Sequence, residues 1–132
     1  MGDRSLIVIK SKDNPADIVF YGHWSGGDNL TAVREVLAKT GRIGDSYLVA
    51  ELFYEFAVVQ GMYEGLGFGS FGIWSAESGA DEGWTDAPTI YVNLDNGSYE
   101  YEGETITNEE LRKSYEPKPE VEEPNLVYGG EK

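Results

Sequence analysis

The chain has no cysteine and one histidine, His23. The first absence excludes disulfide scaffolds, thiol catalysis and thiolate metal sites, and fits a reducing compartment. The second leaves transition-metal binding a single imidazole to work with. No long apolar run is present: Leu6-Ile7-Val8-Ile9 is too short for a signal-peptide core and too short to span a bilayer. Met1-Gly2 opens like a myristoylation signal, but Leu6 stands where that signal needs Ser or Thr. Basic residues are missing over a long stretch. From Ile43 to Leu111 there is no Lys or Arg, while fourteen of the acids fall between Asp45 and Glu110.

What is present is acid. The net charge is -14 over 132 residues. Most carboxylates must face water, because an unpaired buried charge is too costly. Such a surface repels nucleic acid and anionic membrane, and it attracts basic patches, including those with which proteins hold DNA or RNA. Neither direct nucleic-acid binding nor membrane binding is therefore expected. The length allows one domain.

Leu6 to Lys10 and Asp17 to Trp24 are β-rich runs on either side of Ser11-Lys12-Asp13-Asn14-Pro15-Ala16, a turn by composition. They predict an antiparallel hairpin, its first strand buried on at least one face. Ser25-Gly26-Gly27 breaks the strand, and Asp28 or Asn29 can cap a helix reaching Thr40, with Leu30, Val33, Val36 and Leu37 on one face. A second helix opens at Gly44 or Asp45 and runs to Gln60. It is apolar over most of its circumference, which predicts cover on more than one side.

Phe71, Ile73 and Trp74 start a third strand. Thr89 to Leu94 and Ser98 to Glu102 flank Asn96-Gly97, the strongest short hairpin signal in the chain. Thr107-Asn108-Glu109-Glu110 starts a short helix that stops before Pro117. The order ββααβββα predicts an α+β fold over residues 1–115, a mostly antiparallel sheet with helices on one face. Residues 116–132 are rich in Pro and Glu and read as an extended or disordered tail.

Chemistry has few places to reside. His23, beside Trp24 and near Ser25 and Asp28, invites a proton relay, yet no nucleophile-elbow pattern accompanies it. Gly67-Phe68-Gly69-Ser70-Phe71-Gly72 matches G-x-G-x-x-G, but a helix precedes it and a strand follows, the reverse of what dinucleotide binding requires. Asp81, Glu82 and Asp86 cluster in a loop without the regular spacing of a calcium site. No cofactor and no metal are expected. A small-molecule or hydrolase site would be built from Tyr21, His23, Trp24, Gly67 and Gly69.

Tyr21-Gly22-His23-Trp24-Ser25-Gly26-Gly27, then Asp45-Ser46-Tyr47-Leu48, then Gly67-Phe68-Gly69, resembles a family of small uncharacterised proteins from actinobacteria and their phages. That family shares a Y-x-H-W-x-G signature, and the likeness covers roughly residues 6 to 95. The resemblance implies a phage or prophage accessory origin and assigns no reaction. Taken with the charge, it favours a cytoplasmic, non-enzymatic module that binds a basic surface of a host protein and so inhibits it. Glu77, Asp81, Glu82, Trp84 and Asp86 would supply contacts from the loop, and Glu100, Glu102 and Glu104 from the last hairpin. An oligomeric or virion structural role is the remaining alternative.

Overall fold

Leu6, Ile7, Val8 and Ile9 are all essentially fully buried, so the first strand is enclosed on both faces rather than one. That burial fixes its place. In the computed structural model, which describes residues 4–14, 16–23, 26–61, 71–76 and 85–115 (backbone alone at Trp74 and Ala76), strand β1 (Ser5–Lys10) lies inside a 6-stranded sheet. Strands β2 (Asp17–Gly22), β3 (Phe71–Ala76), β4 (Ile90–Asn93), β5 (Tyr99–Tyr101) and β6 (Glu104–Ile106) complete the order β3-β2-β1-β4-β5-β6. Only β1 and β4 run parallel; every other pairing is antiparallel. The fold is α+β, as the sequence predicts, with one more strand than expected, β6. Its source is the dipeptide Glu102-Gly103. Both residues have positive φ, 52° and 84°, as a tight type I′ hairpin turn requires.

Side chains alternate along the strands. Ile7, Ile9, Phe20, Ile90, Val92 and Tyr99 point to one face and meet helices α1 (Asn29–Lys39), α2 (Tyr47–Val59) and α3 (Asn108–Ser114). Phe20 packs on Phe53 and Phe56 of α2, with ring centroids 4.9 and 5.4 Å apart. Each such side chain contributes about 1.5–3 kcal/mol when removed from water. Leu6, Val8 and Val19 point to the other face, beside Tyr21 and Tyr91.

One expectation about the helices is corrected and one is refined. Neither Asp28 nor Asn29 caps α1: Asp28 has helical dihedrals and no capping bond, because a 3-10 turn (Gly26–Asp28) leads straight into the helix. The Asn29 side chain instead turns inward and donates to Ser5 Oγ at 2.6 Å. Helix α2 is covered on two sides, by the sheet through Phe20 and Phe71 and by α1, and its outer side is open. Leu48, Leu52, Phe56 and Ala57 are buried, whereas Tyr47 and Tyr54 are more than half exposed at 64% and 54%. Tyrosine tolerates this, since its hydroxyl stays in water while the ring lies along the surface.

Helix α3 carries the expected start in full. Thr107 Oγ1 accepts from Glu110 N, and the Glu110 carboxylate accepts from Thr107 N, a reciprocal capping box. Those bonds hold the Glu110 carboxyl below its usual value. Asn108 Nδ2 donates to the carbonyls of Leu37 and Gly97, tying α3 to α1 and to the β4–β5 loop. That loop is longer than the expected two-residue turn. Asn93 Oδ1 accepts from the amides of Asp95 and Asn96 before Gly97 closes it at φ 75°.

Gly97 and Gly103 share positive φ but not their surroundings. A Cβ at Gly97 would lie 2.7 Å from Ile43 Cδ1, and one at Gly103 would meet nothing. Gly103→Ala should cost about 1–2 kcal/mol, the left-handed penalty alone. Gly97→Ala should cost visibly more, because it adds overpacking to that penalty. Urea unfolding of the two variants checks this; equal midpoints would remove the crowding at Gly97.

Candidate functional site

The face of the sheet opposite the helices collects the polar groups that sequence reasoning singled out. Leu6 pairs with Tyr21 and Ser5 with Gly22, so Arg4 and His23 come next, side by side at the end of the hairpin. Tyr21 Oη lies 2.9 Å from His23 Nδ1, two residues along the same strand edge. With the proton on Nε2, the tyrosine hydroxyl donates to Nδ1. Gly22, between them, faces the helices. A Cβ there would come within 2.6 Å of the buried Gln60 amide, which would have to move to admit a side chain.

Asp86 joins this end from the other side. Its carboxylate accepts from Arg4 N at 2.9 Å and from Arg4 Nε at 3.1 Å. In return, the amides of Asp86 and Ala87 donate to the Arg4 carbonyl. The Arg4 hydrogen bonds hold the Asp86 carboxyl below its usual value, and the charge of His23 acts in the same direction. Arg4 is held up by the same pair. The structure thus brings Tyr21, His23 and Asp86 together, with Arg4 as a member that composition did not reveal. The hairpin register is the signal that could have found it, since Arg4 falls opposite His23 once Ile7 is set against Phe20.

Chemically this cluster is a hydroxyl–imidazole pair beside a solvent-exposed ion pair. Its Arg4–Asp86 members are 41% and 42% exposed, so the pair is screened and contributes little stability. Among the described residues, no group of three His, Asp or Glu is placed to hold a metal ion. Trp24, Gly67 and Gly69, the other members of the anticipated small-molecule site, lie outside the described residues, as do Glu77, Asp81, Glu82 and Trp84.

The acids of the last hairpin are exposed but do not share one face. Glu100 pairs with Tyr91 and Thr105 and stands on the side away from the helices. Glu104 pairs with Tyr101, whose ring packs toward the helix layer. Glu102 occupies the turn between them. Asp86, bonded to Arg4 just before β1, lies at the same end of the sheet as the Glu102 turn, because Ile90 pairs with both Ile7 and Tyr101. Among the described residues, Lys and Arg pair only with Asp17, Glu35, Asp45 and Asp86.

A groove that sequence reasoning did not anticipate lies on the helix layer. It has a volume of about 770 Å³ and runs between the C-terminal half of α1 and the middle of α2, lined by Val36, Gly41, Ala50, Glu51, Tyr54 and Glu55, with Glu35, Lys39 and Thr40 at its rim. Its signal in the sequence is the Glu51/Glu55 spacing of four on a helix that otherwise buries apolar groups. No helix among the described residues is long and apolar enough to cross a membrane. The chain matches no protein-family model, no curated protein and no solved structure.

The Asp86 carboxyl is depressed, so its share of stability is full above the unfolded carboxylate value of about 3.9 and is lost as pH falls through the folded value. Arg4→Gln should move the Asp86 titration back up toward the ordinary value and shrink that acid-side loss. Carbon-detected NMR of the Asp86 carboxyl, followed from pH 6 downward, reads the shift; an unmoved titration would mean Arg4 is not its cause.

Proposed function

We propose that this chain is a non-enzymatic, acidic protein-binding module of the host cytoplasm, a phage-type accessory factor that engages and occludes a basic surface of a host nucleic-acid-binding protein. One observation carries the reading: the acid excess is not consumed internally. Glu55, Glu100, Glu102, Glu104 and Glu109 form no ion pair among the described residues. Several cations are committed elsewhere. Arg34 bonds the Tyr99 hydroxyl, Arg112 bonds the Thr40 carbonyl and Asn108, and Arg42 covers Asp45 and the Tyr47 ring. Among the described residues these acids therefore present an outward field that no paired cation quenches. Such a field steers association with a cationic counterpart.

The second reading is a small-molecule site at Tyr21 and His23, which the Tyr21–His23 hydrogen bond favours. His23→Ala separates the two. Lost activity with an unchanged melting temperature favours the small-molecule site, and unchanged partner binding favours the module.

Affinity capture of the full chain from an actinobacterial lysate should recover proteins skewed toward basic isoelectric points. Duplex DNA should compete with them. The association rate should fall about tenfold or more between low salt and about 0.2 M NaCl, where the Debye length drops below about 10 Å. Partners without a basic bias, or binding indifferent to salt, would sink the proposal.

A further inference from the structure

The α1–α2 groove joins an aromatic ring, unneutralised carboxylates and open space. Glu51 and Glu55 stand one helical turn apart on α2, where like charges repel. The Glu51 carboxylate accepts from Thr40 Oγ1 at 2.6 Å, which orients it without neutralising it. Tyr54, between them in sequence, is 54% exposed. Gly41 opens the groove at the end of α1: a Cβ there would meet nothing within 4 Å. Lys39 is the nearest cation, and it pairs with Glu35 at 2.9 Å, one turn back on its own helix.

We infer that this groove is the anchor site for an arginine side chain presented by the partner protein, an inference that rests on the protein-binding reading above. Charge complementarity selects a cation, because Lys39 and Glu35 cancel and Glu51 and Glu55 remain. Shape and chemistry select arginine over lysine. A planar guanidinium can bridge two carboxylates while lying against a tyrosine face, whereas an ammonium is a compact, strongly hydrated point charge. The walls, Val36 and Ala50, suit the aliphatic stem. The groove volume falls within the range of sites that take a drug-sized group. The hairpin acids then serve to steer, and the helix layer serves to hold.

The test uses the full chain and a capped peptide of alternating arginine and glycine, with its lysine counterpart, followed by amide NMR shifts and titration calorimetry. Shifts should centre on Gly41, Ala50 and Tyr54, and the lysine peptide should bind several-fold more weakly. Gly41→Leu fills the groove without changing charge and should weaken binding roughly tenfold, the equivalent of about 1.4 kcal/mol. Lys39→Gln should tighten it, an outcome that no loss of folding can mimic. Removing Glu100, Glu102 and Glu104 together as glutamines should matter less than Gly41→Leu, although it deletes more charge. Peptide binding that maps to the hairpin and ignores both Gly41→Leu and Lys39→Gln overturns the anchor site and leaves the module reading standing. Absence of any binding by either peptide overturns the anchor, while basic partners captured from lysate would still uphold the module.

Discussion

Burial of β1 on both faces is the constraint from which the rest of the structure follows. A strand whose Leu6, Ile7, Val8 and Ile9 all need cover cannot lie at a sheet edge. It takes β2 on one side by a short antiparallel hairpin and β4 on the other by a parallel pairing. The parallel pairing obliges the chain to travel through α1, α2 and β3 before returning, since a parallel neighbour cannot be reached by a tight turn. The helices fall on the face of Ile7 and Ile9, and α3 closes the open end with Leu111. Polar bonds then fix details that burial leaves loose. Asp95 accepts from Ser11 Oγ and Lys12 N, pinning the β1–β2 turn to the β4–β5 loop.

Several of the cations are spent on architecture. Lys10 pairs with Asp17 across the hairpin and lies 5.9 Å from the centre of the Tyr91 ring. Arg112 spans from α3 to the end of α1. With 10 basic residues against 24 acidic ones, each such commitment leaves acids elsewhere without a counter-charge. Self-repulsion of that kind lowers stability. Under the proposed function, a partner that brought the missing positive charge would relieve it, so the same imbalance that weakens the free chain would favour the complex.

Much of the fold was legible because its signals are local. The 3.6-residue stripe of α1 and the Thr107–Glu110 capping box state their geometry within a few residues, and Asn96-Gly97 marks its hairpin, although not the length of the loop. What escaped was set by long-range facts. The β1–β4 parallel pairing joins residues more than eighty positions apart. The exposure of Tyr47 and Tyr54 reflects where α2 sits in the layer, which an apolar helix pattern does not encode. Strand β6 was missed because Glu102 at φ 52° is an uncommon occupant of a position that usually takes Asn, Asp or Gly. For the site, His23 and Tyr21 were visible as residue types, and Asp86 as one acid among many. Arg4 became a neighbour only through register, and the α1–α2 groove only through the packing of two helices.

Among the described residues, the placement of charged groups suits the recognition role proposed above. Electrostatic catalysis draws its strength from donors and charges held in a dry, preorganised pocket, where the low dielectric magnifies each of them. Here the ionised groups lie at the surface: Arg4 with Asp86, and Glu51 and Glu55 on the outer side of α2. Among the described residues the buried polar side chains are Ser5, Asn29, Thr40, Gln60, Thr89 and Ser98, and none of them carries a charge. A molecule arranged in this way has its strongest fields where water screens them. Such fields act over a Debye length to orient an approaching surface, and they reach full strength only when that surface arrives and expels the water. Desolvation by a partner is thus the step that would turn the acidic exterior from a source of self-repulsion into a source of affinity.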